Sequence, residues 1–189
     1  YKVYGMYRRT STDIFERPEI HERLGKIKDR ITLIQGDLTD SASIMRILNE
    51  VKPDEIYNLA SQSFVPSSWD QALTTGDINA IGPLRILEAI RTLNPNIRFY
   101  QASSSEMFGR IQEAPQNENT PLYPISPYAT AKVFAHWVTV NYRESFGLHA
   151  SSGIAFNHES PLRGKEFVTR KISLSAARIK YGLQDCLEL

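Results

Sequence analysis

The sequence predicts a doubly wound α/β fold, a parallel sheet with helices on both faces, and three observations lead there. Short apolar runs bounded by Gly, Pro or Asp alternate along the chain with longer stretches of helical spacing. The runs are apolar enough to be strands buried in a parallel sheet, and strand–helix alternation is the order such a sheet requires. Finally, 189 residues with 41% apolar content supply a core of this size without disulfides or metals.

Each element follows from its residues. Lys2 to Tyr7 (KVYGMY) is β-branched and aromatic and gives a first strand, ended by Arg8, Arg9, Thr10 and Ser11; a polar, charged stretch then runs to Arg30. Ile31 to Gln35 (ITLIQ), closed by Gly36 and Asp37, is a second, buried strand. Asp40 is the N-cap candidate of a helix over Ser41 to Val51, which Pro53 ends. Glu55 to Ala60 (EIYNLA) is the third strand, and a Ser/Pro loop follows to Asp70. From Leu73 to Leu93, residues Ile78, Ile81, Leu84, Leu87 and Ile90 recur every third or fourth position, predicting a helix that Gly82 and Pro83 should kink. Arg98 to Ala102 (RFYQA) is the fourth strand, Arg110 to Ser126 a Pro- and Asn-rich loop, and Pro127 to Phe146 a long helix with Pro127 in its first turn and Gly147 as its stop. Ala150 to Phe156 gives a fifth strand, Phe167 to Tyr181 a last helix, and Cys186 to Leu189 the start of another strand.

Composition excludes several functions. Lys plus Arg number 22 against 21 acidic residues, so a net charge of +1 gives no overall field to attract nucleic acid or an anionic membrane. No apolar run approaches the roughly 20 residues of a membrane span. Cys186 has no intrachain partner, which excludes an internal disulfide and a Cys-based zinc site and suits a reducing compartment such as the cytoplasm. His21, His136 and His149 have no partner at metal-ligand spacing, so no metal is expected.

In doubly wound sheets ligands bind beyond the carboxyl ends of the strands, so the residues there are the informative ones. After the first strand, Arg8 and Arg9 occupy the place where an NAD-binding fold puts an acid on the ribose 2′-hydroxyl. They are either a solvated strand-end pair or a site for the 2′-phosphate of NADP. After the second, Asp37 either accepts from an adenine amino group or serves the turn. After the third, Leu59, Ala60, Ser61, Gln62 and Ser63 include small residues that let backbone approach a cofactor, as they also do in ordinary loops. The sharpest pattern is Tyr128-Ala-Thr-Ala-Lys132, whose i,i+4 spacing puts phenol and ammonium on one helix face. A Tyr with a pKa near 10 needs roughly 3 units of depression to act as a base at neutral pH, and one nearby cation supplies about 1–3. The pattern opens a helix that follows the strand-end run Ser103, Ser104, Ser105 and Glu106, an order that brings a hydroxyl, a carboxylate, the Tyr and the Lys into one cleft.

With the segments YNLASQSFV, FYQASSSEMFG, YPISPYATAK, VNYRESFG and FNHESPLRGKEFVTRKI, the chain resembles the extended short-chain dehydrogenase/reductase family and, within it, the GDP-mannose 4,6-dehydratases, over essentially its whole length. The resemblance implies a Rossmann NADP-binding domain over 1–160 and the start of a nucleotide-sugar-binding region over 161–189. It implies catalytic roles for Ser104, Glu106, Tyr128 and Lys132, with Glu106 as the base and Ser104 on the sugar O4. Asp37 and Leu38 would serve the adenine end, Leu59 to Ser63 the pyrophosphate and nicotinamide side, His158 and Arg163 the cofactor, and Asn157 the substrate, GDP-mannose. It also implies a homodimer through the helices Leu73 to Leu93 and Pro127 to Phe146, or a homotetramer if the segment Arg8 to Leu24 adds an interface. A nucleotide-sugar epimerase or reductase of the same superfamily, or a non-catalytic dinucleotide-binding fragment, are the alternatives.

The chain departs from the pattern in three places. Ser104 stands where Thr is frequent, Leu162 where Arg is common, and no G-x-x-G-x-x-G turn precedes Lys2. In such folds that turn and its strand cradle the pyrophosphate at the middle of the sheet. The chain is therefore expected to be an internal portion of a longer enzyme.

Overall fold

A computed structural model describes residues 1–10 and 25–188. Within the described residues, Ile27–Phe156 together with the first strand form one compact unit, and a second begins at Asn157. The Arg-rich stretch assigned to a second oligomer contact lies largely outside the described residues.

The first unit is Rossmann-like: parallel strands with helices packed against them. Strands β1 (Val3–Tyr7) and β2 (Ile31–Gln35) pair in parallel, Val3 opposite Ile31. Helix α1 (Ser41–Val51) starts where Asp40 accepts from the Ala42 amide at 2.9 Å, and it buries Ile44, Ile47 and Leu48. It ends where Lys52 turns left-handed at φ 47° and Pro53 bars continuation. Strand β3 (Glu55–Asn58) follows, then two short helices, α2 (Ser67–Asp70) and α3 (Ala72–Gly76), a π-helical turn over Asp77–Ile81, and α4 (Gly82–Leu93). Strand β4 (Arg98–Ser104) leads through the 3₁₀ turn Ser105–Met107 to α5 (Pro127–Phe146), capped by Ser126 on the Ala129 amide at 3.1 Å and stopped by Gly147 at φ 66°. Strand β5 (Ala150–Ala155) completes this unit; the second contains α6 (Val168–Lys180).

Two expectations change. The single kinked helix from Leu73 to Leu93 is instead α3, a π turn and α4: Pro83 has no amide to give and begins a new helix, and the extra residue of the π turn resets the phase ahead of it. No strand forms at Cys186 to Glu188, which pair with no other strand among the described residues. The parallel strands form two ladders, β1–β2 and β3–β4–β5.

Helices hold the two ladders in one unit. Helix α1 packs on α4 over a core of Leu38, Ile44, Leu48, Ile86, Leu87 and Ile90, continued by Ile97, Phe99, Leu148 and Ala150. Gly82 permits the close approach, since a Cβ there would stand 3.0 Å from the Leu38 Cβ. Arg85 of α4 crosses the same junction, donating to the Leu38 carbonyl at 3.1 Å and pairing with Asp77 at 2.8 Å.

Candidate active site

The carboxyl end of β4 and the first two turns of α5 build the centre of the site. Phe99, Gln101 and Ser103 point from β4 into the interior and fix the strand, so Ser104 emerges at its end only partly buried. The Ser104 hydroxyl accepts from the Glu106 amide at 3.2 Å, capping the 3₁₀ turn and retaining its own proton to donate. Met107 and Phe108 anchor the turn in the core, which leaves the Glu106 carboxylate exposed, with no hydrogen-bond or ion-pair partner recorded for it among the described residues.

Tyr128 and Lys132, 8% and 4% exposed, lie on the buried face of α5, and the Lys132 Nζ sits 5.7 Å from the centre of the Tyr128 ring. The Lys132 Nζ also donates to the Ala102 carbonyl at 2.9 Å, tying α5 to β4 one strand position from Ser103. Burial lowers the Lys132 pKa from 10.5 to about 8. The amine is still mostly charged at pH 7 and holds its cation beside the phenol. One turn further along, the half-buried His136 meets the Ser103 hydroxyl at 3.2 Å, and burial, with Arg143 nearby, lowers its pKa. Lys132 on the Ala102 carbonyl and His136 on the Ser103 hydroxyl thus stitch α5 to β4.

The loop after β3 is held from the π turn. Asn79, 1% exposed, accepts from the Gln62 amide at 2.8 Å and the Ser61 hydroxyl at 3.0 Å, and donates to the Gln62 carbonyl at 2.9 Å. Leu59 and Ser63 stay exposed on either side of this clamp, and Ala60 with them.

A cleft lies at the end of the β1–β2 ladder. It has a volume of about 500 Å³, with Arg8, Arg9, Gln35, Asp37 and Arg46 on its walls. Asp37 performs the turn chemistry, accepting from the Thr39 amide at 2.9 Å and hydroxyl at 2.8 Å. Burial would raise its pKa, but the Thr39 hydrogen bonds, with Arg8 and Arg85 nearby, outweigh it and lower the value. Leu38 turns its side chain into the core, so its backbone is what it can present to a ligand. Asn157, His158 and Arg163 fall in the second unit, where Arg163 stacks 3.6 Å from the Phe167 ring centre with its Nε 3.4 Å from the Glu159 carboxylate.

Periodicity and strand-end reading missed Asn79, Arg85 and Arg46. Asn79 lies on the π turn, which no 3.6-residue pattern reveals, and Arg85 on α4 and Arg46 on α1 are spaced like any other helix residues.

Parallel ladders with a Tyr-x-x-x-Lys helix packed behind a Ser-Ser-Glu strand end define a short-chain dehydrogenase/reductase. The model of one family in this class, GDP-mannose 4,6 dehydratase, matches residues 1–189, and the chain belongs to that family. A GDP-mannose 4,6-dehydratase of Sinorhizobium fredii (strain HH103) is 53% identical over 192 residues, covering 100% of this chain and 55% of the relative. The Homo sapiens GDP-mannose 4,6 dehydratase is 48% identical over 198 residues, covering 100% and 52%. Among solved structures, RMD from Pseudomonas aeruginosa complexed with NADPH is 26% identical at a TM-score of 0.74, covering 86% of this chain and 59% of that one. The chain spans about half the length of the curated relatives it matches.

Proposed function

We propose that the chain carries the catalytic set of a GDP-mannose 4,6-dehydratase that converts GDP-mannose to GDP-4-keto-6-deoxymannose and water with NADP as a recycled cofactor. The observation that carries this reading is the placing of Ser104 at the end of β4, Glu106 on the 3₁₀ turn after it, and Tyr128 and Lys132 on α5, which Lys132 ties to β4, in a chain of that family. A dinucleotide fits the residues at two places: the arginine-walled cleft suits the adenosine end, and the buried Lys132 has one acceptor among the described residues for its three N–H groups.

When bound, the nicotinamide supplies the hydride acceptor for C4 and later the donor to C6. Tyr128, its phenolate favoured by the adjacent Lys132 ammonium, takes the proton of the 4-hydroxyl, which Ser104 orients by hydrogen bonding O4. The resulting 4-ketone acidifies C5–H. Glu106 removes that proton as the C6 hydroxyl departs with a proton as water; reprotonation at C5 completes the product. Exposure suits Glu106 to this work, because a carboxylate with no recorded local partner is available to a substrate carbon acid. Lys132 also donates to a cofactor ribose. Arg8 and Arg9 favour the 2′-phosphate of NADP over NAD, His158 and Arg163 contact the cofactor, and Asn157 the sugar.

Exposed Phe134 and Trp137 on α5, with Trp69 and Leu73, make this helical face the one through which copies pair into a dimer, which light scattering tests. No helix among the described residues is long and apolar enough to cross a membrane; with its one cysteine, the protein suits a reducing compartment such as the cytoplasm.

The test of the activity is mass spectrometry of GDP-mannose incubated with the full-length protein and NADP. Loss of one water from the product, absent in Glu106→Gln, is expected. A product of unchanged mass points to the epimerase reading, and full turnover by Glu106→Gln refutes the role of that carboxylate.

A further inference from the structure

We propose that Arg46 is a specificity-determining residue that completes, with Arg8 and Arg9, a three-guanidinium clamp on a phosphomonoester of the bound nucleotide. The inference rests on the reading of Arg8 and Arg9 as 2′-phosphate contacts and extends it to a residue on a different element. Arg8 and Arg9 follow β1, whereas Arg46 comes from α1, so the cleft is flanked by cations from a strand end and from a helix. Charge decides the point. The cleft also carries Asp37 and Asp40, and two arginines against two carboxylates leave it neutral. Arg46 makes it net positive, as a phosphate dianion requires.

Neither acid competes for Arg46. Asp37 is turned to the Thr39 amide and hydroxyl, and Asp40 caps the Ala42 amide. Arg46 is placed by its own Nη2, which donates to the Gln35 carbonyl at 2.9 Å, at the end of β2. Its Nη1 lies 3.3 Å from Glu50 in a pair whose side chains are 54% and 61% exposed, an arrangement worth little in water and easily exchanged for a phosphate. Of the five N–H groups of a guanidinium, two are engaged in these contacts and the rest can meet a ligand.

The experiment uses the full-length protein and calorimetric titration with adenosine 2′,5′-bisphosphate and 5′-AMP, which differ only in the 2′-phosphate. Arg46→Met should cut the preference for the bisphosphate about tenfold while leaving 5′-AMP binding unchanged, and Arg46→Lys should recover part of it. Equal loss for both nucleotides marks a structural role and overturns the inference, as does an unchanged preference. The Arg8→Ala/Arg9→Ala pair separates the two readings. If it abolishes the preference while Arg46→Met does not, only the role of Arg46 fails; if it changes nothing, the 2′-phosphate reading fails first.

Discussion

Replacing Lys132 by Met should make the protein more stable and less active. Burial moves the amine from 10.5 to about 8, a depression worth about 3 kcal/mol at 1.36 kcal/mol per unit. The folded pKa lies below the unfolded one, so between about 8 and 10.5 the unfolded chain binds more protons and stability rises with pH. Below that window the full cost of a buried ammonium is present. Methionine keeps the apolar stem and removes the charge. It does not orphan the Ala102 carbonyl, which also accepts from the Gln101 side-chain amide at 3.1 Å. Allowing for the lost Lys132 hydrogen bond of about 1 kcal/mol, a gain of about 1–3 kcal/mol at pH 7 is expected. Urea unfolding of both proteins at pH 7, 9 and 10.5 reads it, with the difference shrinking as pH rises. A less stable variant at pH 7, or a difference independent of pH, refutes the reasoning.

Other expectations follow from the same geometry. Tyr128→Phe should lower turnover about 10²- to 10⁴-fold with cofactor affinity little changed, and a smaller loss in steady-state kinetics would assign the proton to another base. Asn79→Ala leaves the Ser61 hydroxyl and both Gln62 backbone groups short of their clamp, so denaturant titration should show a loss of about 1–3 kcal/mol. Asn79→Asp, which sets a carboxylate oxygen against the Gln62 carbonyl at a buried position, should cost at least as much. Gly109→Ala should lower both stability and turnover, because the residue sits at φ 50° and a Cβ there would collide with the Tyr123 carbonyl, disturbing the turn that presents Glu106; thermal melts and kinetics at wild-type level would count against it.

How far the sequence alone could be read depends on the kind of signal each element carries. Helix α1 is legible to the residue because its cap, its apolar spacing and Pro53 agree, and α5 through Pro127 in its first turn and Gly147 as its stop, whereas the Ser126 cap emerges only in the structure. The helix face joining Tyr128 to Lys132 follows from spacing, and the structure bears it out. The acceptor of the Lys132 ammonium is a carbonyl 30 residues away, which no local pattern encodes. The π turn hides in the same way: Ile78, Ile81 and Leu84 keep a plausible helical rhythm across it, and only the backbone shows that Asn79 faces inward on the Ser61–Gln62 loop. The cleft arginines divide along the same line. Arg8 and Arg9 are conspicuous as a pair at a strand end, whereas Arg46 becomes notable only when folding sets it beside them.

The packing of α1 on α4 bears on both ends of the site. Arg8, Arg9 and Asp37 ride on one ladder and Ser104, Tyr128 and Lys132 are anchored to the other, and among the described residues no strand-to-strand ladder joins the two. That packing includes Leu38 against Gly82 and the reach of Arg85 to the Leu38 carbonyl. A methyl group added at Gly82 would press on Leu38, the neighbour of Asp37 in the arginine-walled cleft, so a change on α4 would be felt in that cleft without touching Ser104, Tyr128 or Lys132.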